Sequence, residues 1–199
     1  MRGVYDIIAK PSGSRYNNVK KVGVDKELII NTEVFNHQYV NRCAVVEIPP
    51  KINPLRLSKG DEILLHHNVF RRWHNMRHVE KNSRGYLKED QYLVQPDQVF
   101  LFKKKGKDWE CVSGYCFIQP IKPSDTFYSM DKERPLIGIV RHTDGTVENG
   151  DLVGFSPSSE FEFIVDGKRV YRVLSKSITI KYEYQGDEEE YNPSWADSC

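Results

Sequence analysis

Lys59-Gly60-Asp61-Glu62-Ile63-Leu64-Leu65 and Asn149-Gly150-Asp151-Leu152-Val153-Gly154-Phe155 decide the fold. In each stretch Gly-Asp precedes an apolar run. Glycine supplies the positive φ of a tight turn and aspartate can bond its own backbone, so each stretch predicts a turn feeding a strand. A second shared block lies downstream: Tyr92-Leu93-Val94-Gln95-Pro96-Asp97-Gln98-Val99-Phe100-Leu101 matches Tyr171-Arg172-Val173-Leu174-Ser175-Lys176-Ser177-Ile178-Thr179-Ile180. Both read as two short strands with apolar residues alternating inward, joined by a polar kink. Upstream, Lys10-Pro11-Ser12 recurs as Lys122-Pro123-Ser124. The blocks keep their order while their separation shrinks along the chain. That pattern predicts two tandem copies, the first with the longer loops.

Around these blocks the sequence alternates short apolar runs with turn signals. Strands are expected over Tyr5 to Ala9, Ala44 to Ile48, Glu62 to His66, Gln91 to Gln95, Val99 to Lys103 and Glu110 to Ile118. A second series covers Leu136 to Arg141, Leu152 to Phe155, Glu160 to Val165, Val170 to Leu174 and Ile178 to Tyr184. Asp166-Gly167 is a two-residue hairpin signal. Aromatic and β-branched residues are plentiful and Ala/Leu-rich helical stretches are nearly absent, so the fold class is all-β, a sandwich or barrel in each copy. At 199 residues the chain suits one large domain or two small ones; two would be near the lower limit for burying a core, which assembly with neighbours would help.

Twenty-nine basic and 28 acidic residues leave a formal net charge of +1, with no global pull toward nucleic acid or an anionic membrane. No apolar run is long enough to span a bilayer, and Met1 to Asp6 does not read as the start of a signal peptide. Cys43, Cys111, Cys116 and Cys199 form no CxxC spacing and are expected to be reduced thiols in a cytoplasmic protein.

In their order, these segments resemble the GroES-type co-chaperonins. The opening strand Tyr5-Asp6-Ile7-Ile8-Ala9-Lys10, a long loop, the strand Ala44-Val45-Val46-Glu47-Ile48, the Gly60-Asp61 turn and the closing pair Tyr92 to Phe102 follow the family's sequence of parts, and the later parts recur up to Lys181. The resemblance implies two tandem, partly open GroES-like β-barrels: residues 1–112, with a mobile loop at about 11–42 and a basic insertion at about 67–86, then residues 113–184. It also implies a homo-oligomeric ring, a heptamer to match a seven-fold partner, with terminal strands paired between neighbours. That ring would cap a GroEL-type chaperonin and perform no chemistry itself, ATP hydrolysis belonging to the partner. In the family the mobile loop docks through a short apolar tripeptide; here Leu28-Ile29-Ile30, between Asp25-Lys26-Glu27 and Asn31-Thr32, occupies that role. The alternative for this triplet is a buried strand. Two departures stand out: the roof hairpin is reduced to Pro49 to Ser58, as in some phage-encoded members, and Lys26-Glu27 replaces the usual Gly-Gly. A phage source would place the protein in the host cytoplasm.

The basic insertion at about 67–86 is absent from the second copy and is expected to be a loop with solvated histidines. Arg71, Arg72, Trp73 and Arg77, with Lys81, Arg84 and Tyr86, make a patch that could bind a single nucleic-acid strand, the alternative function being such binding or a structural role in a virion. The net charge and nearby acidic residues argue against it. His74 and His78 would share a face only on a helix, and no H-E-x-x-H accompanies them, so no metal site is expected. No phosphate loop, nucleophile elbow or paired carboxylates are found, which predicts a protein without catalytic residues or cofactor. Lys103 to Lys107 reads as a solvated hairpin tip, and residues 185–199 as a disordered acidic tail.

Overall fold

The computed structural model describes residues 2–16, 19–21, 27–29, 39–123, 132–183, 186 and 188–193. The chain divides into two compact units, Met1–Trp109 and Glu110–Cys199. Among the described residues helical structure is confined to short 3-10 turns, and every strand pairing is antiparallel.

In the first unit, β1 (Ile7–Pro11), β4 (Cys43–Ile48), β5 (Glu62–Leu65), β8 (Tyr86–Lys88), β9 (Gln91–Val94) and β10 (Val99–Lys103) form one sheet. β11 (Trp109–Cys111), at the junction of the units, covers its edge, giving the order β11-β10-β5-β4-β1-β9-β8. Two ribbons stand apart from this sheet: β2 (Val19–Lys21) with β3 (Glu27–Ile29), and β6 (Arg72–His74) with β7 (Glu80–Asn82). The second unit contains β12 (Tyr115–Pro120), β13 (Ile137–His142), β14 (Leu152–Phe155), β15 (Phe161–Val165), β16 (Lys168–Leu174) and β17 (Ile178–Lys181), in the order β15-β16-β12-β13-β14-β17. With β11 set aside, the two orders are the same: β10, β5, β4, β1, β9 and β8 correspond to β17, β14, β13, β12, β16 and β15. Neither sheet closes on itself.

The correspondence reaches single hydrogen bonds. Gly60 N donates to Val46 O at 2.8 Å and Val46 N to Asp61 O at 2.8 Å; Gly150 N and Val140 N repeat this with Val140 O and Asp151 O at 2.8 and 2.9 Å. Asp61 Oδ2 accepts from Ser58 N at 2.8 Å, and Asp151 Oδ2 from Glu148 N at 2.9 Å, closing both Gly-Asp turns with a side chain. The glycines sit at φ +93° and +94°. Bulges fall at matching places, between Ile8 and Ala9 and between Phe117 and Ile118. Tyr92 pairs with Ala9 as Tyr171 pairs with Ile118, so the register expected for the second block is the register found. The polar kinks are the 3-10 turns Pro96–Gln98 and Ser175–Ser177.

Two sequence expectations change. Pro11 lies opposite Ala44, and Pro120, not Pro123, occupies the equivalent place opposite Gly138. Glu110 to Ile118 is not one strand: a turn at Gly114, with φ +95°, separates β11 from β12.

Ile7, Ile8 and Ala9 are all buried in sequence, as are Ile63, Leu64 and Leu65, so both faces of the central strands are covered. In the second unit Ile118, Val140, Val153 and Val173 pack on one face, and Ile121, Ile139 and Leu152 on another. Each such side chain contributes roughly 1.5–3 kcal/mol of burial.

Candidate functional site

The two units have sheets of the same strand order and differ in what is inserted into them. The first carries residues 12–42 between β1 and β4, and residues 66–85 between β5 and β8. Those insertions are where chemistry can differ.

The first insertion leaves the sheet through a laced neck. Asn41, buried, donates its side-chain amide to Ser12 O and Ser14 O, both at 2.8 Å, and accepts from Cys43 N at 2.8 Å. Asn41 N donates to Arg15 O at 3.1 Å, and Tyr16 bridges to Val40. Above the neck, β2 and β3 pair Val19 with Ile29, Lys20 with Leu28 and Lys21 with Glu27. Leu28 and Ile29 therefore lie on a strand, but of a separate two-stranded ribbon and not of the seven-stranded sheet. Ile30 lies outside the described residues.

The second insertion is a hairpin, where the sequence suggested a loop. Val69 and Phe70 anchor it in the core, Phe70 meeting the Tyr92 ring edge-on at 4.8 Å. His66 caps the following 3-10 turn by accepting from Asn68 N at 3.1 Å. At the tip, Asn75 Oδ1 accepts from Arg77 N and Val79 N, both at 3.0 Å, holding Met76 fully in solvent. Trp73 is 44% exposed beside it. A groove of about 760 Å³ runs along the hairpin, lined by Asn68, Arg71, Trp73, His74, Arg84 and Gln98 among others.

Arg15 and Tyr16 tie the two insertions together. Arg15 Nε donates to Phe70 O at 2.6 Å, Nη1 to Asn82 Oδ1 at 2.7 Å and Nη2 to Arg71 O at 3.3 Å, while its guanidinium lies over the Tyr92 and Tyr86 rings at 5.2 and 5.9 Å. Burial pushes the Arg15 pKa down and that of Tyr92 up. Tyr16 accepts at its hydroxyl from Arg72 N at 2.7 Å, and the Arg72 guanidinium covers its ring at 4.8 Å.

The nucleic-acid patch is accordingly divided. Arg72 is engaged with Tyr16 and with Glu80 at 3.3 Å, whereas Arg71 and Trp73 line the groove and Arg77 is exposed on the tip. Arg71 Nε is buried with no hydrogen-bond partner among the described residues. The hairpin gives His74 and His78 no shared helical face, and among the described residues no three His, Cys, Asp or Glu are grouped to hold a metal. Cys43, Cys111 and Cys116 form no disulfide among the described residues; burial, with nearby Cys116 and Asp144, pushes Cys111 far up, away from the reactive thiolate.

Sequence reasoning missed Arg15, Tyr16 and Asn41, which all fall within the mobile loop expected at about 11–42. The one available signal was Tyr16, an aromatic ring in an otherwise polar run. No protein-family model, curated protein or solved structure matches the chain.

Proposed function

We propose that this chain is a co-chaperonin of the GroES type, built from two tandem, partly open barrels, which forms a ring and caps a GroEL-type chaperonin. The supporting observation is the unequal duplication: one sheet design occurs twice, and among the described residues the first copy alone extends a ribbon, bearing Leu28 and Ile29 on a braced neck. Leu28, Ile29 and Ile30 would dock on the partner, each loop binding weakly and the ring recovering strength through effective concentration. The protein would perform no chemistry of its own, needing no cofactor, and would act beside its partner in the cytoplasm. Phe161 on β15 and Ile180 on β17 are half exposed on the two outermost strands of the second sheet, which suits a chain whose edges are covered by neighbours. A heptamer would match a seven-fold partner.

The test is size-exclusion chromatography with light scattering, with and without a GroEL-type chaperonin and ADP. A ring-sized assembly should co-elute with the chaperonin, and Ile29→Asp should abolish co-elution while leaving the oligomer intact. Capping by Ile29→Asp would remove this loop from the role. The groove favours one other reading, a single nucleic-acid strand stacked on Trp73 with a phosphate at Arg71. It becomes the better account if the chain ignores the chaperonin and binds an oligonucleotide with steep salt dependence.

A further inference from the structure

β12 and β16 pair from Tyr115 with Leu174 to Ile118 with Tyr171, and pairing stops there although β12 runs on to Pro120 and β16 begins at Lys168. Part of the acidic tail lies at this split, contrary to the disorder expected of it. Glu190 bridges to Ile121, Lys122 N donates to Glu189 O at 2.7 Å and Tyr191 N to Pro120 O at 2.9 Å. On the β16 side, Arg169 N donates to Asn192 Oδ1 at 2.9 Å and Asn192 Nδ2 to Gly167 O at 3.0 Å. The tail thus makes bonds with both diverging strands.

Each of the three consecutive glutamates faces a cation. Glu188 meets Arg134 at 3.9 Å, Glu189 meets Lys122 at 2.5 Å, and Glu190 meets Arg141 and, at 3.8 Å, Lys168. Arg169, held by Glu133 and by Glu162 at 2.9 Å, presents its guanidinium to the Tyr191 ring at 6.0 Å. Its charge is already matched, so the positive character of the slot comes from the other four. Two of these pairs are open to water, Lys122 and Glu189 at 43% and 72% exposed and Lys168 and Glu190 at 53% and 41%, whereas Arg134, Glu188 and Arg141 are partly buried. Exposed pairs hold weakly and are screened by salt. The tail is bound as a charged segment, and among its described residues only Pro193 is buried.

We propose that the split between β12 and β16 is a binding slot for an extended acidic peptide of a partner protein, with Glu188–Asn192 as its resident competitor. Partner recognition would use main-chain bonds to Pro120 and Lys122, carboxylates on the four cations and an aromatic ring against Arg169. A tethered competitor acts at high effective concentration, so the slot opens only to a partner that outbids the tail or when the tail is drawn away. This inference stands apart from the co-chaperonin reading, since it concerns only the second unit.

The probe is a labelled synthetic peptide of residues 186–193, followed by fluorescence anisotropy. Three proteins are compared: the full chain, a chain ending at Glu183, and the full-length double variant Glu189→Lys, Glu190→Lys. The shortened chain should bind the peptide at least about tenfold more tightly than the full chain, and raising salt should weaken that binding. The double variant, whose tail is repelled by the slot, should bind as the shortened chain does. Equal binding by full and shortened chains, or no binding by a shortened chain with native circular dichroism, overturns the proposal. If the shortened chain fails to fold, the double variant decides: a folded double variant that ignores the peptide shows the tail to be a structural clasp.

Discussion

Arg15→Ala tests whether the two insertions of the first unit are mechanically one device. The bond from Arg15 Nε to Phe70 O is short, at 2.6 Å, and partly buried, in the class worth about 1.5–3 kcal/mol for a charged donor. The bond to Asn82 is exposed and that to Arg71 O is long, at 3.3 Å, so they add about 0.5 kcal/mol each. Contact with the Tyr92 and Tyr86 rings adds about 0.5–1 kcal/mol. Because these terms share one side chain, a net loss of about 3 kcal/mol is expected. For a domain of this size that lowers the thermal midpoint by roughly 12–24 °C. Calorimetry should show the loss in the first unit's transition alone, and trypsin should cut sooner at Arg77 and Lys81. Arg15→Lys keeps the charge but not the planar fork and should recover less than half of the loss. A change below about 1 kcal/mol, or a lysine variant equal to the native protein, would refute the claim that the fork bears this load.

Gly138→Ala should destabilise the second unit by at least about 1–3 kcal/mol, because the new methyl would lie 2.3 Å from Gln119 O and 2.7 Å from Ile118 Cγ2. A neutral thermal midpoint would contradict the Pro120–Gly138 register. Burial alone would raise the Asp144 carboxyl, but bonds from Thr146, the Gly114 amide and Ser175 outweigh it and hold the carboxyl below its ordinary range. Its contribution to stability is therefore full above about pH 4 and lost as pH falls through the lowered folded value. Urea titrations across that window should show Asp144→Asn with a flatter acid slope than the native chain.

What the sequence disclosed was governed by how locally each feature is encoded. The Gly60-Asp61 and Gly150-Asp151 turns were legible because turn chemistry is written in adjacent residues, and the Tyr92 and Tyr171 blocks because alternation fixes register. Lys122-Pro123-Ser124 misled because two prolines stand three residues apart, and only the pairing partner shows that Pro120 ends the strand. The neck of the first insertion was invisible: Asn41 reaches back to Ser12 and Ser14 across the whole loop. The slot cations are dispersed from Lys122 to Lys168, so no basic patch marks them, and the tail's glutamates alone read as disorder.

The matched registers have a practical consequence. Pro11 and Ala44 in one sheet, and Pro120 and Gly138 in the other, are equivalent anchor points bridged by loops of very different length. Loop closure grows only logarithmically, by about 0.6 kcal/mol per doubling, so the sheet is nearly indifferent to what it hosts there. The molecule is in effect a socket present twice with a different fitting in each. Exchanging the two fittings in one reading frame would separate what belongs to the loop from what belongs to its position.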